Sequence, residues 1–255
     1  MSGKFNNSIV LITGGLGDIG RAIILEFARH GASIAIADII DSKSAKPFLD
    51  DLIRTFGAKC LYNQLDVTNA NATKSWIDEV HVKLGVPTVI ISNAACVTQK
   101  SILEINADQW KRELDVNLNG MFNVVQAASL LMTNSNTTGN IVMIGSWAAH
   151  KVHREMPAYS VSKAAVRMLC KCFALELAPF GITVNELAPG YVQAGLSAKV
   201  WNDNPERKQE AIDKVPLKSL ITVEEIAQQV LFLSDSQNKH ITGTTFLMDG
   251  GLSLL

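Results

Sequence analysis

Long hydrophobic runs are missing from the sequence. No stretch approaches the ~20 consecutive apolar residues that a membrane-spanning helix requires, and the opening MSGKFNNSIVLITGG enters a strand pattern without a cleavable leader. No membrane partner is expected, and the expected location is cytoplasmic. Charge of one sign is missing too: 23 Lys and Arg stand against 24 Asp and Glu, a formal net charge of -1. No broad field therefore selects nucleic acid or an anionic surface. Cysteine is scarce. Cys60, Cys96, Cys170 and Cys172 lack the paired spacing of a zinc site, and Cys170-Lys171-Cys172 is too tight for a thioredoxin-like motif, so no metal is expected. Linkers rich in Pro, Gly or Ser, internal repeats and shifts of composition are also missing. That leaves one domain over residues 1–255, with 47% hydrophobic residues to fill its core.

What is present is an alternation. Short β-branched runs at 8–13, 33–38, 60–66, 88–92, 140–146, 183–189 and 244–249 are separated by segments with helical spacing, among them Ile19–His30, Asn106–Met132 and Ala158–Ala178. Strands that are apolar throughout belong in a parallel sheet covered on both faces. The order predicts an α/β fold: a single doubly wound, Rossmann-type domain with a seven-stranded parallel sheet and helices on both faces. A charged insert at about 193–220 interrupts the alternation and is expected to act as a lid. The TVEE at 222–225 then opens a helix with a capping box.

Residues 13–20, TGGLGDIG, place Gly15, Gly17 and Gly20 in a G-x-G-x-x-G pattern directly after the first strand. Such a turn lets a backbone approach a pyrophosphate, with free amides and the helix dipole attracting the charge. Gly14, Gly15, Gly17, Asp18, Ile19 and Gly20 are accordingly expected at a dinucleotide. Asp18 is a fixed negative charge in this turn and should point away from the phosphates, capping the helix or bonding a neighbouring loop. Asp38, eighteen positions beyond Gly20, ends the second strand, where a carboxylate accepts from ribose hydroxyls and repels a 2′-phosphate. No Arg or Lys follows it within 38–40, which favours NAD over NADP. Asp66 either contacts the adenine or only caps a turn.

In YSVSK, Tyr159 and Lys163 lie four apart and share one helix face. A phenol of pKa about 10 is a poor base at neutral pH, but a neighbouring ammonium favours its ionised form. Ser146 ends the fifth strand thirteen residues earlier, at the carboxyl edge where such sheets bind ligands. With SNAA at 92–95, LDV at 65–67, DVNLNG at 115–120, APG at 188–190 and ITGTTFLMDGG at 241–251 all in order, the chain resembles the short-chain dehydrogenase/reductase family over nearly its whole length.

That resemblance implies that Asn117 holds a water in a proton relay, Ser146 orients the substrate oxygen, Tyr159 moves the proton, and Lys163 binds the ribose and lowers the tyrosine pKa. It also implies that Asn93, Ala94 and Ala95 pack near the cofactor, with Val67 beside Asp66, and that the backbone after Pro189 and Gly190, around Val192, meets the carboxamide. Three positions depart from the family pattern: Asp18 stands where its glycine register has a glycine, Ala95 replaces another, and Ala194 stands where a threonine is common. The reading is an NAD-dependent oxidoreductase acting on an alcohol or ketone, with a small polyol, sugar or hydroxy acid as substrate. A 3-oxoacyl-thioester reductase and a non-catalytic dinucleotide sensor or scaffold are the alternatives. Trp147, Cys96, Tyr191 and Trp201 are candidate pocket residues, and His150, Lys151, His153 and Arg154 lie in a loop of which only one or two positions can face inward. The resemblance further implies a homo-oligomer, dimer or tetramer, formed through the helices at 106–132 and 158–178.

Overall fold

A computed structural model describes residues 3–194 and 205–255. In chain order the main elements are β1 (Ile9–Thr13), α1 (Asp18–Arg29), β2 (Ser33–Asp38), α2 (Ser42–Phe56), β3 (Cys60–Gln64), α3 (Ala70–Lys83), β4 (Val89–Ser92), α4 (Ala107–Leu114), α5 (Met121–Asn134), β5 (Gly139–Ile144), α6 (Pro157–Leu177), β6 (Ile182–Pro189), α7 (Pro205–Lys214), α8 (Val223–Leu233) and β7 (Thr245–Met248). The strands pair in the order β3-β2-β1-β4-β5-β6-β7, every pair parallel. The expected seven-stranded, doubly wound sheet is what forms. Winding reverses at β1, so a crevice opens at the carboxyl ends of β1 and β4.

Successive strand residues serve opposite cores because side chains alternate across the sheet. Val10 and Ile12 of β1, Ile34 and Ile36 of β2, and Val89 and Ile91 of β4 pack with α1 and α8. Leu11, Ala35 and Ala37, and Ile90 pack instead with α3, α5 and α6. Helix α1 buries Gly20, Ile23, Ile24, Phe27 and Ala28, a stripe at i, i+3, i+4, i+7 and i+8. Phe27 meets Phe5 edge-on with ring centroids 4.9 Å apart.

Two local departures from the sequence reading matter for the site. The single helix expected over 106–132 is a rod in which a π-turn, Asp115–Gly120, separates α4 from α5. Its i→i+5 pattern inserts a local bulge at Asn117, which period counting over a long apolar stretch does not register. The expected lid yields α7 and a short bridge of Val192 to Ile221; its positions 195–204, Trp201 included, lie outside the described residues.

The capping box opening α8 forms as the sequence predicts: Thr222 Oγ1 accepts from Glu225 N at 3.2 Å, and Glu225 Oε2 accepts from Thr222 N at 2.8 Å. Since α8 packs on α1, this cap supports the helix behind the glycine turn. Thr222→Ala is expected to lower unfolding free energy by about 1 kcal/mol, and Thr222→Ser by much less. Denaturant titration checks this through a lower midpoint at unchanged slope.

Candidate active site

At the crevice the chain forms a cavity of about 1240 Å³, larger than a single drug-sized ligand needs. Gly14, Gly17, Asp18, Ile19, Gly20, Asp38, Asp66, Val67, Asn93, Ala94, Ala95, Ser146, Tyr159, Lys163, Pro189, Gly190 and Val192 all line it. Two expected residues do not. A Cβ on Gly15 would lie 2.5 Å from Ile36 Cγ2 and 3.1 Å from Ile24 Cδ1, so this glycine serves core packing and not a ligand. Asn117, with no exposed surface, sits behind the cavity wall.

The glycine turn is held from two sides. A Cβ on Gly20 would come within 2.3 Å of Gly14 O and 2.8 Å of Gly15 Cα, so glycine is what lets α1 start against the turn. Asp38 Oδ2 accepts from Leu16 N at 2.8 Å and Oδ1 from Ile40 N at 3.3 Å. The carboxylate therefore ties β2 to the turn while facing the cavity. Gly17 differs from Gly20: its Cβ would meet only Gly14 O, at an ordinary 3.6 Å. Nothing in the chain itself requires glycine there, and Gly17 is exposed on the cavity wall. Its smallness suits an incoming pyrophosphate, so the turn fits a dinucleotide. The expected helix cap by Asp18 is corrected: Gly17 is the N-cap, without a side-chain bond, and Asp18 is the first helical residue. A carboxylate in that turn is favoured by the dipole instead of by capping. Asp66 Oδ1 accepts from Thr68 N at 2.9 Å, the turn-capping alternative, and the residue lies on the cavity wall.

Three groups converge on the opposite wall. Ser146, at the mouth of β5, caps a short turn by accepting from Ala148 N at 3.2 Å. Burial pushes the Tyr159 phenol up to about 12, against a hydrogen bond with Ser146 that draws it down. Lys163 Nζ lies 5.6 Å from the Tyr159 ring centroid and donates to Ile144 O at 2.7 Å. Burial pushes this ammonium down to about 8, while the Glu186 carboxylate opposes the change. In the chain alone both groups are thus driven toward neutrality, and added positive charge is what Tyr159 needs to ionise. Asn117 works from behind. Its Oδ1 accepts from Cys96 N at 2.8 Å, and its amide donates to Cys96 O at 2.9 Å and Ser162 Oγ at 3.1 Å. Both amide hydrogens are committed to joining the loop after β4 to α6.

The loop before α6 is partly inward. His153 and Arg154 line the cavity, whereas His150 and Lys151 do not. Trp147, His153 and Tyr191 meet edge to face, Trp147 and Tyr191 at 5.2 Å between centroids. Cys96 also lines the cavity. The sequence reading missed two buried carboxyls. Glu113, one helical turn before Asn117, accepts from Thr98 N at 2.6 Å, and burial raises its pKa. Glu186, with no exposed surface, lies in strand β6. The available signal was a charge next to Leu187 and Ala188 inside a predicted parallel strand, a position where a charge is rare unless it is partnered.

Fold and site define an oxidoreductase of the nicotinamide-dinucleotide class. Residues 16–253 match a family model described as enoyl-(acyl carrier protein) reductase. The chain is 31% identical over 255 residues to the 3-oxoacyl-(acyl-carrier-protein) reductase FabG of Thermotoga maritima, covering 98% of this chain and 99% of that one. It is 33% identical over 254 residues to the L-2,3-butanediol dehydrogenase of Corynebacterium glutamicum, over 96% and 98% respectively. The crystal structure of an NAD+-bound xylitol dehydrogenase matches with a TM-score of 0.90 at 30% identity, covering 97% of this chain and 100% of that one. The chain belongs to the short-chain dehydrogenase/reductase family.

The two glycines make a paired test. Gly20→Ala is expected to lower the melting temperature by several degrees and abolish dinucleotide binding, because a backbone must move. Gly17→Ala is expected to keep the wild-type melting temperature while weakening binding by about tenfold. Thermal melts and dinucleotide fluorescence titration separate the two effects.

Proposed function

We propose that the protein is an NAD-dependent dehydrogenase interconverting a secondary alcohol and a ketone, with a small polyol, sugar or hydroxy acid as substrate. The convergence of Ser146, Tyr159 and Lys163 on one cavity wall carries this reading. Gly14, Gly17, Asp18, Ile19 and Gly20 would hold the pyrophosphate, Asp38 the adenosine ribose, and Asp66 and Val67 the adenine. Asn93, Ala94 and Ala95 would flank the cofactor, Lys163 and Tyr159 would meet its nicotinamide half, and Pro189, Gly190 and Val192 its carboxamide. When bound, the dinucleotide supplies hydride chemistry and, oxidised, a positive charge.

The chain's own residues handle the proton. In the oxidative direction the Ser146 hydroxyl holds the substrate oxygen, and the Tyr159 phenolate takes the proton from it. Lys163 favours that phenolate through its positive charge. Because both Asn117 amide hydrogens are spent on Cys96 and Ser162, the relay water that the family reading assigns to Asn117 is expected at its backbone carbonyl, inside the π-turn.

Support for NAD comes from Asp38 on the cavity wall, followed by Ile39 and Ile40 and no cation. Two amides occupy two of the about four acceptor positions of its carboxylate, leaving room for ribose hydroxyls. The names of the butanediol and xylitol dehydrogenases support a small polyhydroxy substrate. The name of the Thermotoga maritima relative supports a second reading, a 3-oxoacyl-thioester reductase. A non-catalytic sensor or scaffold is the weaker alternative, since it has no use for a tyrosine set on the cavity wall beside a buried ammonium. Exposed Phe122 and Leu130 of α5, and Val161, Met168 and Leu175 of α6, support a homo-oligomer joined through these helices. Cytoplasmic location is part of the proposal; among the described residues no helix is long and apolar enough to cross a membrane.

Tyr159→Phe is expected to cut turnover by about 10³-fold with NAD affinity retained; unchanged turnover would overturn the catalytic assignment. A panel of polyols, sugars, hydroxy acids and 3-oxoacyl thioesters, read by nicotinamide absorbance, should favour NAD(H) over NADP(H) by about tenfold or more in kcat/KM. Asp38→Ala should narrow that ratio. Selective turnover of thioesters with NADPH would instead establish the second reading.

A further inference from the structure

Glu186 is a carboxylate with no exposed surface, in a strand otherwise given to the core. One of its oxygens, Oε2, accepts from Thr245 Oγ1 of β7 at 2.6 Å. The other, Oε1, is buried without a hydrogen-bond partner. It occupies the space that a side chain on Gly145 would fill, 1.9 Å from where that Cβ would stand. Gly145 is thus kept bare by the carboxyl lying against it. The peptide that joins Gly145 to Ile144 is the one whose carbonyl receives the Lys163 ammonium at 2.7 Å, and the residue after it is Ser146. Carboxyl and ammonium therefore flank one peptide unit at the end of β5, both out of contact with water.

The groups facing this carboxyl come from two elements. Burial raises the pKa of this carboxyl; against that act the hydrogen bond from the Thr245 hydroxyl of β7 and, from α6, the positive charges of Arg167, Lys163 and Lys171, with Cys170 the remaining titratable group. Arg167 is already engaged by Ala149 O and His150 Nδ1, and Lys171 is exposed. Lys163 is the cation that shares the buried interior with Glu186. The other titratable groups beside Lys163 are Tyr159, across its ring, and the Cys96 thiol.

We propose that Glu186 is a positioning residue for Lys163, an ionised carboxylate behind the Ile144–Gly145 peptide that keeps the ammonium charged on the Ile144 carbonyl and so sets the alkaline limit of catalysis. The proposal rests on the reading of Tyr159 and Lys163 as the proton-handling pair. The sign follows from the charges. A negative neighbour stabilises the protonated lysine, so its removal lets Lys163 lose its proton at lower pH, and the phenolate loses its support with it.

Two readouts test this. In pH profiles of kcat/KM for alcohol oxidation, Glu186→Gln, which keeps an acceptor for Thr245, is expected to move the alkaline limb down by about one pH unit or more. Glu186→Asp should restore part of it. In NMR titration of the cofactor-free protein with labelled lysine, assigned through Lys163→Met, the Lys163 resonance should titrate lower by the same amount. Should Glu186→Gln fail to fold, Thr245→Val, which removes the donor that holds the carboxylate ionised, is expected to shift both readouts in the same direction by less. A folded variant with the wild-type alkaline limb and Lys163 titration overturns the proposal. The NMR shift is independent of turnover, so its presence together with full activity in Tyr159→Phe would refute the catalytic reading and leave the Glu186–Lys163 coupling standing.

Discussion

Lys163 is a cation without water around it, 1% exposed, resting on the carbonyl of Ile144. Taking an ammonium out of water costs several kcal/mol unless polar partners replace the lost hydration. That requirement organises its surroundings. The ammonium fixes α6 against the carboxyl end of β5, and α6 in turn carries Tyr159 one turn earlier. The same strand end delivers Ser146, so a group from β5 and two from α6 are held in one place around a single buried charge. Such a desolvated ammonium is a cost to folding, and the large two-sided core of the sheet is what sustains it.

The other half of the cavity obeys a steric constraint. Gly20 lets the backbone of α1 start against Gly14, and Asp38 holds the turn from the next strand through Leu16 N. The aspartate at position 18, out of place in a phosphate cradle at first sight, belongs to the first turn of α1 and gains from the positive end of its dipole. A negative group at 18 and a receptive turn are compatible because free backbone amides, not side chains, present the positive potential. Asp38 combines two tasks, closing the turn and presenting a carboxylate to whatever occupies the cavity.

Between these halves Asn117 acts as a clamp. Its amide joins the loop after β4 to the first turns of α6, and the π-turn around it bends the α4–α5 rod locally without ending it. Two buried carboxyls, Glu113 and Glu186, act on the Tyr159–Lys163 pair. The charge of Glu113 opposes ionisation of Tyr159, whereas that of Glu186 supports protonation of Lys163.

The fold class, the seven parallel strands and most residues of the cavity wall were legible in the sequence because they follow from local patterns. Uniformly apolar strands specify a sheet covered on both faces, glycines at fixed spacing specify a turn, and Tyr159 and Lys163 share a face by helical period alone. What local patterns do not carry is the partner across the fold. Whether a glycine lines the cavity, like Gly17, or packs in the core, like Gly15, depends on what stands opposite it, for Gly15 the side chains of Ile36 and Ile24. Likewise the π-turn at Asn117 and the meeting of Glu186 with the Lys163 seat arise only where distant segments pack. By itself the sequence determined the sheet, the turn and the shared helix face of Tyr159 and Lys163, since each depends on neighbours along the chain. Tertiary structure alone decided their burial, their charge environment and which of them face the cavity, because desolvation and Coulomb energy depend on distance in space.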